Sequence, residues 1–325
     1  MKKRFAILRY NRNMKILCAG QAVVDCITRN IDKDSLKNRS ARAESIRLNV
    51  GGDALNESVI FSRLGYEVKT ACLIGDDLAG KIIINALKEN GVDTSCVQSE
   101  EIDTVIADIF AEEGGSRRSL NSNAVKLGGK SLSADSVDNV DVLCLASLFR
   151  APLDDLEKVL ELVRRAKQHG ACVFADTKLP VYKKLTLEDY AEVLPYIDVI
   201  FPNETEAAYY SGISGNDKAA YTAMADAFLK KGVKAVVIKA GEQGSWYFDE
   251  SSSCHQPAFK ADIIDTTGAG DNFAAGFISV YMEKRPVRDC MEFASACAAI
   301  SISASGATAG VKSREQVEAF LRNNR

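Results

Sequence analysis

The stretch DTTGAGDNFAAGF, residues 265–277, brings together residue types that can handle a phosphoryl group. Gly268, Ala269 and Gly270 are small enough to let backbone N–H groups approach a ligand. Phe273, Phe277, Val280 and Tyr281 follow at helical spacing, so a helix is predicted to open at this turn. A helix N-terminus carries unpaired N–H donors and partial positive charge, and it attracts anions. Asp271 sits just inside that terminus, where the dipole and the free donors stabilise its anion. The expectation is a carboxylate ionised at neutral pH beside an anion hole. Such a pair suits phosphoryl transfer to an alcohol: the carboxylate takes the hydroxyl proton while the amides spread the developing charge. Taken alone, the same residues also fit an aspartate that merely caps its helix.

A second glycine-rich turn, IGDDLAGKI at 74–82, has the frame of a Walker A loop, with Gly75, Gly80 and Lys81 in place. The mechanism of that loop is missing. Ile82 stands where a hydroxyl would hold magnesium, and Asp76 and Asp77 would repel phosphate oxygens. A plain strand-to-helix turn with a solvated Lys81 is expected. The turn at 268–273 is no dinucleotide fingerprint either, because Phe273 occupies the place of the third glycine and the turn comes late in the chain.

These turns need a scaffold. Helical stretches end at Gly65, Gly91, Gly170 and Gly232, and apolar strand-like runs follow at least three of them. Helices alternating with buried strands imply an α/β fold whose mostly parallel sheet is covered on both faces. Two stretches break the alternation. AESIRLNV, 43–50, places Ile46, Leu48 and Val50 on one face, and TVIADIFA, 104–111, is strand-like ahead of the polar EEGGSRRSLNSNA. Both read as half-buried strands of a small β flap over one end of the sheet.

The 325 residues suit one large α/β domain with an embellishment, or two small domains. A formal charge of −3 argues against nucleic acid or an anionic membrane as partner. Nine isolated cysteines without a CxxC pair give no disulfide framework and point to a reducing, cytoplasmic setting. His169 and His255 lack ligand spacing, so no zinc site is expected. Residues 1–13 read as a short extension rather than a signal peptide, since polar residues interrupt the apolar patch. ACAAISISASGATAG is too polar for a membrane span.

In these motifs the chain resembles the ribokinase-like (PfkB-type) family of carbohydrate kinases. DTTGAGDNFAAGF is similar to that family's C-terminal signature, and NVGGDALNESVIFSRLG, 49–65, to its N-terminal one. FPNETEAAYYSG, 201–212, carries its NxxE element as Asn203 to Glu206, and VVIKAGEQGSWYF, 236–248, resembles its nucleotide-side strand and turn. The resemblance implies a three-layer α/β/α sandwich over residues 14–325, with a mostly parallel central sheet and a small β lid from about 26–50 and 100–125. It implies transfer of the γ-phosphoryl of ATP to a sugar hydroxyl, with Mg2+. Asp271 would be the general base, and Gly268, Ala269 and Gly270 the anion hole. Asn203 and Glu206 would hold Mg2+ through its waters. Lys239, Gly241, Gly244 and Thr267 would face the nucleotide beside Asn203, Gly268 and Gly270. Asp265, Thr267 and carbonyls between Ile302 and Gly306 would form a site for K+.

On the sugar side the resemblance points to Asp25, in the turn after the first strand KILCAG, and to Gly51, Gly52 and Asn56. The chain departs from ribokinases proper in having Asp53 where a lysine follows the paired glycines, and Val23 in place of an asparagine. D-ribose is disfavoured on that ground, and Asp53 joins the expected substrate-facing residues. Arg117 and Arg118 by the lid, and Lys178 beyond a strand end, supply cations that suit a carboxylate. The substrate expected is therefore a small sugar or sugar acid. The alternatives are a nucleoside kinase, though no aromatic stacking residue lies between Ala22 and Arg42, and a catalytically silent sugar-binding regulatory protein. Exposed lid strands suit a homodimer through the lid.

Overall fold

The computed structural model describes residues 13–31, 37, 40–112, 117–122 and 130–324. All of the expected N-terminal extension except Asn13, and parts of the expected lid, lie outside these residues. In chain order the strands and helices are β1 (Lys15–Ala19), β2 (Val23–Ile31), β3 (Ser45–Gly51), α1 (Asp53–Arg63), β4 (Glu67–Ala71), β5 (Leu73–Gly75), α2 (Leu78–Glu89), β6 (Gln98–Glu100), β7 (Ile106–Glu112) and β8 (Arg117–Asn121). They continue with β9 (Val142–Leu148), α3 (Leu156–Gln168), β10 (Cys172–Thr177), β11 (Val199–Phe201), α4 (Glu204–Ser211), α5 (Lys218–Leu229), β12 (Ala235–Lys239), β13 (Ser245–Asp249), β14 (Ser253–Gln256), α6 (Ala269–Tyr281), α7 (Val287–Ile302) and α8 (Arg314–Asn323).

Eight strands form the central sheet in the order β14-β13-β12-β11-β10-β9-β1-β4. Pairing is parallel from β4 through β12 and antiparallel only at β13 and β14. Because side chains alternate along a strand, each central strand feeds two cores. Ile16, Cys18, Phe174 and Phe201 pack against α1, α2, α6, α7 and α8. Leu17, Leu143, Ile200 and Val236 pack against α3, α4 and α5 on the other face. The result is a three-layer α/β/α sandwich. The helix-ending glycines Gly65, Gly91, Gly170 and Gly232 all have positive φ, as the sequence predicted. That backbone strains a side-chain-bearing residue.

The lid is a separate sheet in the order β3-β2-β7-β8. It starts at Val23, earlier than expected, so Asp25 lies within β2 rather than in a turn. β8 was not anticipated: its sequence, RRSLN, is polar, and it becomes a strand by pairing antiparallel with β7. The outward face also differs from expectation. Ile46 and Leu48 are 67% and 59% exposed rather than half-buried. The opposite face of the lid must cover a polar cleft, so the apolar row of β3 is left facing outward.

Candidate active site

A cleft of about 670 Å³ opens at the C-terminal ends of the parallel strands, beneath the lid. Ligands of open α/β sheets bind at this edge. The site residues expected from the sequence line it, except Arg118, Gly244, Asp265 and the 302–306 loop, while the side chain of Arg117 lies outside the described residues.

The floor is the turn entering α6. Gly268 caps the helix at φ +76°, and a Cβ there would lie 2.6 Å from Cβ of Ala307, so only glycine fits. Asp265 organises the approach: Oδ1 accepts from N and Oγ1 of Thr267 at 3.0 and 2.6 Å, and Oδ2 accepts from N of Gly306 at 3.0 Å. Asn272 donates at 2.8 Å to the carbonyls of both Gly268 and Ala307. The turn is thereby stitched to the 302–307 loop, while the first N–H groups of α6 lack intrahelical acceptors.

Asp271, in the first turn of α6, is buried and accepts a 2.7 Å hydrogen bond from Nδ2 of Asn56. The expectation of a carboxylate ionised by the helix terminus needs correction. Burial, then the charge of Asp53, pushes Asp271 up to about 7, with Lys178 and Asn56 acting the other way. Loss of water outweighs the dipole here.

On the lid side, Gly51 leaves room for Asp25: a Cβ on it would lie 2.5 Å from Oδ2 of Asp25. Gly52 has φ +90° and a Cβ on it would strike the Gln21 carbonyl at 2.6 Å, which lets α1 start hard against the cleft. Asp53 accepts from Oγ of Ser147 at 3.0 Å and pairs with Nζ of Lys178 at 3.0 Å. Asp53 is the main reason the Lys178 ammonium is held more firmly protonated than usual. Lys178 therefore faces the cleft already neutralised, not as the open cation expected. Arg118 is corrected outright. In the β8 register Ser119 and Asn121 pair with Ile109 and Ala107 on the cleft face, which turns the exposed Arg118 to the outside. Arg150, not singled out from the sequence, lines the cleft instead. It donates to the Leu179 carbonyl at 2.8 Å, while its buried Nε has no partner.

At the other end, Asn203 and Glu206 form a reciprocal capping box on α4. Glu206 is nonetheless buried, and its Oε2 accepts from Oγ1 of Thr177 at 2.8 Å and N of Asn203 at 3.0 Å. Beside it Nζ of Lys239 donates to both oxygens of Asp176, at 2.8 and 2.6 Å. Burial raises Asp176 to about 6 against the pull of Lys239. Burial opposes the charge of Lys239, but Asp176 and Glu206 prevail and raise its pKa. Asp176 was overlooked, although FADTKLP placed it at a strand end two residues before Lys178. Carboxylate oxygens that already hold a cation suit a hard divalent ion such as Mg2+. Gly241 lines the cleft with nothing near its Cβ position, whereas Gly244 does not reach it. A Cβ on Gly244 would lie 2.0 Å from the Gln256 carbonyl, so its glycine serves close packing against β14.

The Walker-like turn is a helix cap, with Asp77 accepting from N of Gly80 at 2.7 Å and N of Thr104 at 2.8 Å, and Lys81 mostly exposed. His169 and His255 are exposed and lie apart from the cleft. Among the described residues Cys18, Glu57 and Cys144 bring potential ligand atoms within 4.8 Å of one another. Burial holds the Glu57 carboxyl and the Cys144 thiol well above their usual ranges, so both keep their protons in an apolar core. No described helix is long and apolar enough to cross a membrane.

The pfkB family carbohydrate kinase pattern matches residues 13–314. The chain is 30% identical over 286 residues to a ribokinase of Haemophilus influenzae, covering 86% of this chain and 89% of the relative. The structure of Arabidopsis thaliana ribokinase complexed with ribose and ATP superposes with a TM-score of 0.80 at 23% identity, covering 95% of this chain and 98% of that one. An E. coli structure in complex with ATP and Mg2+ gives 0.76 at 23% identity, with 95% and 99% covered. On the strength of the fold, the cleft and these matches, the chain belongs to the pfkB family of carbohydrate kinases.

Proposed function

We propose that this kinase transfers the γ-phosphoryl of ATP to a hydroxyl of a small sugar, with Asp271 as the general base. The observation that carries the reading is a buried carboxylate, held by Asn56, on the open first turn of α6 inside the cleft. Asp25, Asp53 and Asn56 offer acceptors and donors for sugar hydroxyls. Asp271 takes the proton of the reacting hydroxyl, and the N–H groups from Gly268 to Gly270 stabilise charge on the phosphoryl group. Asn203, Glu206 and Asp176 would hold Mg2+ and its waters, and the ion would neutralise phosphate charge. Lys239, Gly241 and Thr267 face the nucleotide end. The lid excludes water that would otherwise compete as acceptor.

A sugar acid is the second reading, and its support shifts from Arg118 and Lys178 to Arg150. A carboxylate could satisfy the unpartnered guanidinium Nε there. Asp265, Thr267 and the carbonyls of the 302–306 loop, which Asp265 holds through the N–H of Gly306, would take K+. A second copy would cover the apolar outer face of the lid, and nine free thiols fit a cytoplasmic setting.

ADP release by the purified chain, with ATP and Mg2+, tests this against aldoses, ketoses, their acids and nucleosides, each with and without K+. Turnover with a monosaccharide or its acid is expected. Turnover confined to nucleosides would replace the sugar reading, and none with any acceptor would end it. Arg150→Met should depress turnover of acids more than of neutral sugars.

A further inference from the structure

We infer that Asp176 and Lys239 are an exchangeable ion pair, which resists a lone cation or a lone polyphosphate and yields to the two together. The inference rests on the nucleotide site proposed above. Asp176 is the penultimate residue of β10 and Lys239 ends β12, so both stand at the strand ends that floor the cleft. Nζ of Lys239 touches both carboxylate oxygens, and both side chains are largely withdrawn from water. The pair also lies against the anion-binding turn. A Cβ on Gly270 would be 3.1 Å from Nζ of Lys239 and 3.9 Å from Oδ2 of Asp176. Lys239 thus occupies the place of a cation on Asp176, and Asp176 screens the ammonium from the positive end of α6.

Consider each ligand arriving alone. A divalent cation reaching Asp176 and Glu206 must displace the ammonium, which is then left buried at a helix N-terminus without an anion. A polyphosphate reaching Lys239 must part it from Asp176, which is then left buried beside Glu206 and the phosphate oxygens. The charge of Lys178 offsets this only in part, because Asp53 holds it at 3.0 Å. Stranding one member of a buried pair is costly in either direction. When metal and polyphosphate arrive together, Asp176 exchanges an ammonium for a metal ion and Lys239 exchanges a carboxylate for a phosphate. Every charge keeps a partner. The two ligands are then coupled, each tightening the other.

The test measures binding without sugar or turnover. Mn2+ is titrated into the full chain without nucleotide, with free metal read by electron paramagnetic resonance. ATP in EDTA is titrated separately by calorimetry. Lys239→Met should bind Mn2+ at least tenfold more tightly than wild type. Lys239→Arg should stay weak, and Lys239→Met combined with Asp176→Asn should lose the gain. Asp176→Asn should bind metal-free ATP at least fivefold more tightly. If folded Lys239→Met shows wild-type Mn2+ affinity, the inference is overturned. If that variant does not fold, the Asp176→Asn arm decides, and unchanged metal-free ATP affinity overturns it. Failure of the kinase reading would appear separately, as absence of ADP release with every acceptor.

Discussion

Asn56 on α1 donates a 2.7 Å hydrogen bond to Asp271 on α6, joining the helix that follows lid strand β3 to the helix that carries the carboxylate. The bond engages one carboxylate oxygen, and the proposed reaction would use the other for the hydroxyl. It also orients the group without supplying a positive charge.

The first prediction concerns that carboxylate. Asp271→Asn keeps the size and the capacity to bond Asn56 but cannot take a proton. The turnover rate should fall by roughly 10²–10⁴, the usual contribution of a positioned base. ATP affinity, measured by calorimetry, should stay within a few-fold of wild type. Wild-type turnover in this variant would remove Asp271 from the chemistry.

The pH behaviour follows from burial. Asp271 is raised from 3.8 to about 7 and its neighbour Asp176 from 3.8 to about 6. Between these limits the folded chain keeps protons that the unfolded chain has released. Unfolding free energy attributable to these groups therefore falls as pH rises, and levels off above the folded values. Asp271→Asn should gain stability relative to wild type between pH 5 and pH 8, as followed by thermal melts. The low-pH limb of kcat/KM should lie near neutrality, as a property of the coupled carboxylates. Asp53→Asn should move that limb to lower pH, because it removes a like charge and frees Lys178 to face Asp271. A limb near pH 4 in wild type, or a constant melting difference, would contradict this.

How far the site could be read from the sequence divides along physical lines. The α6 turn was legible because its requirements are local: a left-handed residue at 268, a small one at 270 and a helix behind them. The helix-ending glycines were legible for the same reason. Asp176 was not, because its importance comes from Lys239, which is brought beside it only by the order of β10, β11 and β12. Arg118 was misplaced because strand parity decides which side chain faces inward, and the parity of β8 is set by its register with β7. The titration of Asp271 was misjudged because local sequence shows the helix terminus but not the burial or the neighbouring Asp53. The outward turn of Ile46 and Leu48 reflects the same limit: alternation shows two faces without showing which one the protein covers.

A third prediction separates sugar binding from chemistry. A methyl group at Gly51 would lie 2.5 Å from Oδ2 of Asp25, so Gly51→Ala must displace that carboxylate. The backbone there does not have a positive φ, so alanine adds little strain of its own. KM for the sugar should rise at least tenfold while ATP affinity stays unchanged. Unaltered KM in the folded variant would exclude Asp25 from the sugar subsite.

The outer face of the lid yields the last prediction. In register, Leu48, Cys26, Asp108 and Leu120 form one row across the four strands. Leu48 and Leu120 at its ends are 59% and 65% exposed, and Ile46 on the same face is 67% exposed. Burying a leucine side chain fully is worth about 1.5–3 kcal/mol, and twofold symmetry counts each residue twice. An apolar face of this kind on a small sheet is well suited to pairing with a copy of itself. Sedimentation of the wild-type chain at tens of micromolar should therefore show a dimer. Leu48→Asp with Leu120→Asp should weaken association by at least a hundredfold, since four added carboxylates would join the two Asp108 side chains across the interface. The cleft lies on the opposite face of the lid, so direct contacts to ligands are preserved in the variant. Any loss of turnover should then appear mainly as a raised KM for sugar, from a lid less firmly held. A monomeric wild type at these concentrations would remove the lid-to-lid contact.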